Sequence, residues 1–379
     1  MPTERIKICF VLNSPRLGGA EKRILALVRN IDRSRFAVSL IFFNAAGEYA
    51  RFIPDGIEVK NLAFSSPVPN PIWIWRLARA FQTLAPHVIF SGMGYPNLMS
   101  LLAHQVSRIP AAVVINEGSV LREHLLGDPW SAVKKALCRW LYPKAARIIF
   151  PTQAVWEDLE NFLKITFSQG LVIPNFIDDK HIAAMLDEPD GPFSPTSPGR
   201  KIVISVARLE RVKDMELALK ALTELQKSLR CEYWILGTGE EEGRLKILVK
   251  ELGLTETVKF LGFQENPYHY LKKADVFLLT SRSEAFPCAL LEAMFCHKPC
   301  VVSYFNGSVA DIIRQDVDGI IVKERSAEKF AGALQRVLSD EASAQRLGAS
   351  AGKAVEKYLA SKIVRQYEDL FLKIKSGNA

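Results

Sequence analysis

The stretch IKICFVLN (residues 6–13) decides the fold class, because an amphipathic segment, AEKRILALVRNI (20–31), and a second apolar run, AVSLIFFN (37–44), follow it. Short apolar runs rich in β-branched and aromatic residues are typical of buried strands, and the segment between them has helical spacing. Further strand-like runs lie at 87–92, 111–116, 146–152 and 170–175, with a helical segment at 155–163. Buried strands that alternate with helices predict a parallel α/β sheet.

A second series of strands follows a stretch rich in Pro, Ser, Asp and Gly, DEPDGPFSPTSPG (187–199). Its apolar runs lie at 201–209, 232–239, 258–263, 274–281, 298–305 and 319–322. We therefore expect two doubly wound, Rossmann-like domains, 1–177 and 178–355, and a C-terminal helix, 356–379, that packs back toward the first domain. Ligands of such sheets bind at the carboxyl ends of the strands, so the cleft between the domains is the expected site.

Composition limits the class of protein. The 379 residues are 49% hydrophobic and 24% charged, which is ordinary for a globular protein. The six cysteines form no CxxC pair, so neither a zinc site nor a disulfide framework is indicated. No secretory signal and no apolar run of about 18 residues is visible, which predicts a cytoplasmic protein. The whole net charge of +8 falls in residues 1–177, which carry 20 Lys and Arg against 12 Asp and Glu.

The stretch SEAFPCALLE (283–292) contains two glutamates in different settings. Pro287 suits the first turn of a helix that would run to about Phe295, and the N–H groups at its start would bind an anion. Glu292 lies among apolar residues in this helix, and a buried carboxylate is costly without a partner. A ribose diol would supply two hydrogen-bond donors to Glu292, and Glu284 could accept hydrogen bonds from sugar hydroxyls.

Each of the other motifs, taken alone, is weaker evidence for a binding site. SPRLGGAE (14–21) exposes backbone N–H groups where a strand passes into a helix, although a plain turn also explains it. In VARLERVKD (206–214), Arg208 and Lys213 follow a strand and could neutralise a diphosphate. LGTGEEEG (236–243) has GxGxxxG spacing rather than that of a dinucleotide-binding loop, which disfavours a dehydrogenase. DVDG (316–319) is interpreted as a turn rather than a metal site.

Taken together and in order, these motifs resemble retaining nucleotide-sugar glycosyltransferases of family 4, which have the two-domain GT-B fold. SEAFPCALLEAM matches the Glu-x7-Glu motif of that family, and LGGAE resembles its N-terminal loop. VIPNFID (172–178) resembles its domain-closing segment, and SVARLERVKD resembles its diphosphate clamp. YFNGSVADII and DGIIV match its last loops. The resemblance covers nearly the whole chain and implies transfer of a sugar, most simply from a UDP-sugar, without a metal or another cofactor.

The resemblance also assigns residues. Catalysis would involve Glu284, Arg208, Lys213 and Glu117. The donor would be bound by Gly18, Gly19, Arg208, Lys213, Glu284, Phe286, Pro287, Glu292, Asn306 and Gly307. Asn97, Asn116, Glu117 and His124 would lie on the acceptor side. One departure is that INEGS (115–119) stands where many relatives have a histidine, so Asn116, Glu117 or His124 would have to replace it.

The acceptor is expected to be a glycan or a lipid-linked glycan. Tryptophans and cations lie together in PIWIWRLARAFQTL (71–84) and in DPWSAVKKALCRWLYPKAARI (128–148), the second with Asp128 as the expected N-cap. Such segments suit the surface of an anionic membrane, although tryptophans in the core and solvated cations fit equally well. The expected location is therefore the cytoplasm, with the protein either free or peripheral on the cytoplasmic face of the membrane.

Three alternatives remain open on the sequence. A sugar-nucleotide epimerase can have the same fold, and a non-catalytic partner protein could retain it without activity. A nucleic-acid-binding protein is suggested by the isoelectric point of about 9.1 alone, since no recognition motif accompanies it.

Overall fold

In the computed structural model, the chain divides by its internal packing into two compact units. Unit 1 comprises Met1–Asp178 with Ala360–Ala379, and unit 2 comprises Asp179–Leu359. The structure describes residues 4–15, 18–47, 50–64, 70–92, 94–118, 120–121, 130–189, 199–305 and 308–377.

Unit 1 is built on a seven-stranded sheet in the order β3-β2-β1-β4-β5-β6-β7, with every pair parallel. Its strands are β1 (Ile6–Leu12), β2 (Phe36–Phe42), β3 (Glu58–Asn61), β4 (Val88–Gly92), β5 (Ala112–Asn116), β6 (Arg147–Phe150) and β7 (Gly170–Val172). The central strands β1, β4 and β5 are buried almost throughout, which explains their uninterrupted apolar sequences.

The helices of unit 1 are α1 (Gly19–Asn30), α2 (Pro71–Leu84), α3 (Tyr95–Ser107), α4 (Ser131–Leu141) and α5 (Gln153–Leu163). Thr152 caps α5 by accepting a hydrogen bond from the backbone of Val155. The last helix of the chain, which we number α14 (Ala360–Lys375), also belongs to this unit. Its residues Ile363, Tyr367 and Phe371 are buried in one hydrophobic cluster with α1, β1, β2 and β4.

Unit 2 is built on a six-stranded parallel sheet in the order β10-β9-β8-β11-β12-β13. Its strands are β8 (Lys201–Val206), β9 (Cys231–Leu236), β10 (Val258–Gly262), β11 (Val276–Leu279), β12 (Cys300–Ser303) and β13 (Ile320–Val322). Its helices are α6 (Asp179–Asp187), α7 (Met215–Leu225), α8 (Glu242–Glu251), α9 (Tyr268–Lys273), α10 (Cys288–Phe295), α11 (Ser308–Ile312), α12 (Ala327–Ser339) and α13 (Glu341–Ala354).

The prediction of two parallel α/β sheets is confirmed, and the differences lie in individual elements. The sequence analysis missed β3, since only its middle is partly buried and its residues are mostly polar. The expected strand 274–281 ends at Leu279, because the polar residues after it form a loop. Residues 316–318 form a turn, as expected for DVDG, with Asp316 at φ 62°.

Candidate functional site

Two of the four charged residues predicted to bind the donor in unit 2, Lys213 and Glu284, lie in contact. Lys213 ends a single 3-10 turn, Arg211–Lys213, that follows β8, and Glu284 lies in the loop after β11. Lys213 Nζ is 2.6 Å from Glu284 Oε1, and Ser281 Oγ donates a hydrogen bond of 2.7 Å to the same oxygen. Because 17% of the lysine side chain and 13% of the glutamate side chain are exposed, the pair is largely desolvated yet open to a ligand.

A second network fixes the backbone on both sides of this pair. Thr280 Oγ1 donates to the carbonyl oxygens of Lys213 and Asp214 at 3.1 and 3.0 Å. Asp214 has a φ of 47°, and its Oδ2 accepts from Arg325 at 2.6 Å and pairs with Arg282 at 2.8 Å. Arg325 also donates to the carbonyl oxygens of Thr280 and Ser281, each at 2.9 Å. These bonds hold the turn that carries Lys213 against the loop that carries Glu284.

This network was not predicted from the sequence. Asp214 ends the quoted motif VARLERVKD, but nothing in the sequence indicates that a residue 111 positions away, Arg325, is its partner.

Arg208 also follows β8, but it pairs with Glu210 rather than with the carboxylate that Lys213 contacts. Its Nη1 is 2.7 Å from Glu210 Oε1, and 53% of its side chain is exposed. The backbone of Leu209 donates to Thr238 at 2.9 Å and accepts from Glu241 at 3.0 Å. A Cβ on Gly237 would collide with the carbonyl of Ala207. The glycine in LGTGEEEG therefore allows the backbone after β9 to lie close to the backbone after β8. Arg208 is thus an exposed cation on a fixed turn.

Helix α10 begins at Cys288, one residue later than expected, because Pro287 is its N-cap with extended backbone angles. The expectation that Pro287 lies in the first turn is therefore wrong. Glu292 is 5% exposed within α10, as its apolar neighbours predicted. Phe286 is 6% exposed and packs edge-on against Tyr358, with ring centroids 5.3 Å apart. Ser308 Oγ donates to the backbone carbonyl of Glu284 at 3.2 Å, which ties the start of α11 to the same loop.

In unit 1, three residues expected on the acceptor side form one buried group. Asn97, Asn116 and Glu117 are each no more than 1% exposed. Asn97 Nδ2 donates to the carbonyl oxygen of Asn116 at 3.1 Å and lies 3.5 Å from Glu117 Oε2. Tyr142, which the sequence analysis did not single out, donates its hydroxyl to Glu117 Oε2 at 2.6 Å. Burial and the nearby charge of Glu117 raise the pKa of Tyr142 well above its ordinary value, so the tyrosine remains a donor.

The glycine loop lies at the start of α1. Gly18 is the N-cap, with extended backbone angles, and Gly19 is exposed. Arg23, in the second turn of α1, is buried and was also missed. The remaining predicted site residues, His124, Asn306 and Gly307, lie outside the described part of the chain, as do Asp128 and Pro129.

Three of the four tryptophans in the two basic segments are largely exposed, whereas Trp73 is partly buried and stacks on Phe64, with ring centroids 4.9 Å apart. Trp75 in α2, and Trp130 and Trp140 at the ends of α4, are 57%, 60% and 54% exposed. Lys144 Nζ lies 3.9 Å from the ring centroid of Trp140, and the Arg79 guanidinium lies 5.8 Å from that of Trp75.

The described ranges contain neither a cluster suited to a metal ion nor a helix that could cross a membrane. No group of three or more His, Cys, Asp or Glu side chains in them is arranged to hold a metal ion. In the same ranges, every helix is too short or too polar to cross a membrane.

Two models of known protein families match the chain. Residues 17–181 match the family model described as Glycosyltransferase Family 4, and residues 189–354 match the one described as Glycosyl transferases group 1. The first match covers the glycine loop and the group around Asn116, and the second covers Lys213, Glu284 and Glu292.

Two relatives that align with nearly the whole chain are named as glycosyltransferases. An N-acetylgalactosamine-N,N'-diacetylbacillosaminyl-diphospho-undecaprenol 4-alpha-N-acetylgalactosaminyltransferase of Campylobacter jejuni is 28% identical, over 88% of this chain and 91% of its own. A UDP-Gal:alpha-D-GlcNAc-diphosphoundecaprenol alpha-1,3-galactosyltransferase of Escherichia coli is 23% identical, over 97% of each chain.

Among solved structures, Anabaena HepE in complex with UDP-glucose superposes with a TM-score of 0.80, at 19% identity, over 97% of this chain and all of that one. Together with a similar match to a sucrose-phosphate synthase of Thermosynechococcus elongatus, at a TM-score of 0.78 and 18% identity, this confirms the predicted GT-B architecture of two parallel-sheet α/β domains. The two domain matches and the homologues identify the chain as a glycosyltransferase composed of a family 4 domain and a group 1 domain.

Proposed function

We propose that this glycosyltransferase moves a sugar from a UDP-sugar to a lipid-linked glycan, with retention of the anomeric configuration and without a metal ion. The observation that carries the proposal is the contact between Lys213 and Glu284 at the ends of two neighbouring strands of unit 2. Ligands of open parallel sheets bind at this edge, where the strands end.

The chemistry follows from the charges. A nucleotide diphosphate gains negative charge as it leaves the sugar, and Lys213 and Arg208 supply fixed positive charge at the edge of the sheet. Cations that are already in place stabilise that charge without reorganisation. Glu284, held by Lys213 and Ser281, can accept hydrogen bonds from the hydroxyls of the transferred sugar. Glu292 is the proposed partner of the ribose.

The bond from C1 of the sugar to the diphosphate breaks as the acceptor oxygen bonds to C1 on the same face. The proton of the acceptor hydroxyl passes to the departing phosphate, and a nucleoside diphosphate leaves. Glu117, oriented by Tyr142 and Asn97, is the proposed substitute on the acceptor side for the histidine of the family.

The acceptor class is supported by the relatives. The two that are described above are named for acceptors linked to undecaprenol through a diphosphate, and this chain aligns with most of their length. A polysaccharide or glycolipid of the cell surface is the product that we infer. The exposed tryptophans with their adjacent cations suit a membrane interface, where such an acceptor resides.

An assay of sugar transfer to a lipid-linked acceptor tests the proposal. Purified protein is incubated with radiolabelled UDP-sugars and an undecaprenyl-diphosphate-linked sugar, with and without EDTA, and the product linkage is determined by NMR. An α-linked product from an α-linked donor, formed equally in EDTA, is the expected result. An inverted product would contradict the retaining mechanism, and loss of activity in EDTA would contradict metal independence.

A further inference from the structure

Arg23, a buried arginine in unit 1, has no counter-ion among the residues that the structure describes. Arg23 is 4% exposed, and its Nη1 donates to Asn116 Oδ1 at 3.2 Å and to the Tyr367 hydroxyl at 3.1 Å. Within the described part of the chain, its guanidinium makes no ion pair, and neither Nε nor Nη2 has a hydrogen-bond partner. A guanidinium has five N–H donors. Two of them are used here, which leaves three buried and unsatisfied.

The unsatisfied donors form one edge. Nε and Nη2 are the two nitrogens of a guanidinium that bind a carboxylate or a phosphate side by side. Asn116 Nδ2 belongs to the same amide group whose oxygen accepts from Arg23, and it too is buried without a partner. The site therefore presents donors and a positive charge, which together select an anion.

The nearest carboxylate in sequence to this amide does not fill the site. Glu117 Oε2 accepts from the hydroxyl of Tyr142 instead. The side chains of Asn116 and Arg23 come from the carboxyl end of β5 and the second turn of α1. A Cβ on Gly92, at the end of β4, would meet the end of the Ile24 side chain, which shows that α1 lies close to this edge of the sheet.

We propose that Arg23 and Asn116 form a phosphate-binding site, and that its ligand is a phosphate group of the acceptor. This inference rests on the proposed function, in which the acceptor sugar is linked to a lipid through a diphosphate. The proposed donor cations, Arg208 and Lys213, belong to unit 2. Arg23 lies in unit 1, in contact with the acceptor-side residue Asn116, so an acceptor phosphate is its matching ligand.

Phosphate binding is tested first without turnover. Thermal unfolding is followed with inorganic phosphate or diphosphate, with chloride adjusted to constant ionic strength, in a Lys213→Met background that weakens the donor site. Both anions are expected to raise Tm when Arg23 is present and to have no effect in Arg23→Gln. Arg29→Gln is the matched control, since Arg29 lies on the same helix but is already paired with Asp178 at 2.8 Å.

Asn116→Asp separates a ligand site from a structural arginine. The new carboxylate would lie beside the guanidinium and act as its missing counter-ion. We expect this variant to have a higher Tm than its parent in chloride and no response to phosphate. Because it is expected to fold better, it keeps the proposal testable if Arg23→Gln unfolds.

Kinetics then identify the source of the phosphate. In Arg23→Gln, with Lys213 intact, KM for the lipid-linked acceptor is expected to rise about 10- to 100-fold, as expected for loss of a charged hydrogen bond, while KM for the UDP-sugar stays constant. Arg23→Lys should recover part of the loss, since it keeps the charge without the fork.

Two outcomes would overturn the proposal. If phosphate and diphosphate leave Tm unchanged when Arg23 is present, the site binds no phosphate, and UDP binding still reports separately on the proposed function. If Arg23→Gln raises KM for the donor rather than for the acceptor, the ligand is the donor.

Discussion

Lys213 Nζ lies 2.6 Å from Glu284 Oε1, although 71 residues separate them in the sequence. The pair joins a cation suited to a diphosphate with a carboxylate suited to a sugar. A ligand that contains a diphosphate and a sugar can contact both side chains, and a nucleotide sugar is such a ligand.

Replacing the carboxylate by its amide tests its role in transfer. Glu284→Gln keeps the size of the side chain and can still accept from Ser281, but it removes the counter-ion of the largely buried Lys213, so a lower Tm is expected as well. The variant should lose transfer by about 100-fold or more, as for removal of one preorganised electrostatic contact. Glu224→Gln, in an exposed pair with Lys227, is the control and should retain full activity. A Glu284→Gln enzyme of undiminished rate would show that Glu284 has no role in the reaction.

Removing the lysine tests diphosphate binding. Lys213→Met keeps the apolar length of the side chain and removes its charge. Calorimetric titration should show UDP binding weakened about 10- to 100-fold, the range for a charged hydrogen bond. Lys220→Met serves as the control, because Lys220 forms an exposed pair with Glu216 in the same unit. Equal affinities of the two variants would exclude Lys213 from the donor site.

Arg325 is expected to position Lys213 and Glu284 without contacting the substrate. Arg325→Met leaves the Asp214 carboxylate without one of its two cations and removes the bonds to Thr280 and Ser281. We expect about 1–3 kcal/mol of lost stability, measured by urea unfolding, and a lower kcat. Arg336→Met removes an exposed pair with Asp316 and should do neither. If kcat were unchanged despite the loss of stability, the network would be purely structural.

The exposed tryptophans make the membrane proposal testable without disturbing the core. Trp75→Ser with Trp140→Ser should reduce sedimentation with anionic vesicles, since both rings are more than half exposed. Ile247→Ser is the control in unit 2, where Ile247 is 60% exposed. Charge reversal at Lys135 or Arg139 is less suitable, because Lys135 packs on Phe162 and Arg139 donates to the carbonyl oxygen of Leu163. Unchanged sedimentation of the double variant would count against the proposed surface.

The sequence predicts the sheets well because each central strand is buried on both faces and is therefore apolar throughout. It predicts β3 poorly, since this strand is mostly polar. Individual site residues such as Glu284 and Lys213 stand out through their motifs. The contact between them cannot be predicted in this way, because it depends on which strand ends lie side by side in the sheet.

Arg23, Tyr142 and Arg325 could not be recognised from the sequence for a related reason. Each is a single polar residue without a motif, and its importance comes from burial and from partners far along the chain.

Unit 2 is proposed to bind a nucleotide diphosphate without a metal ion. Thermal unfolding with UDP, GDP, ADP and dTDP, each with and without EDTA, measures this directly, because a ligand that binds only the folded state raises Tm. We predict that UDP gives the largest rise, that EDTA leaves it unchanged, and that Lys213→Met reduces it. Failure of all four diphosphates to raise Tm would contradict the assigned donor site.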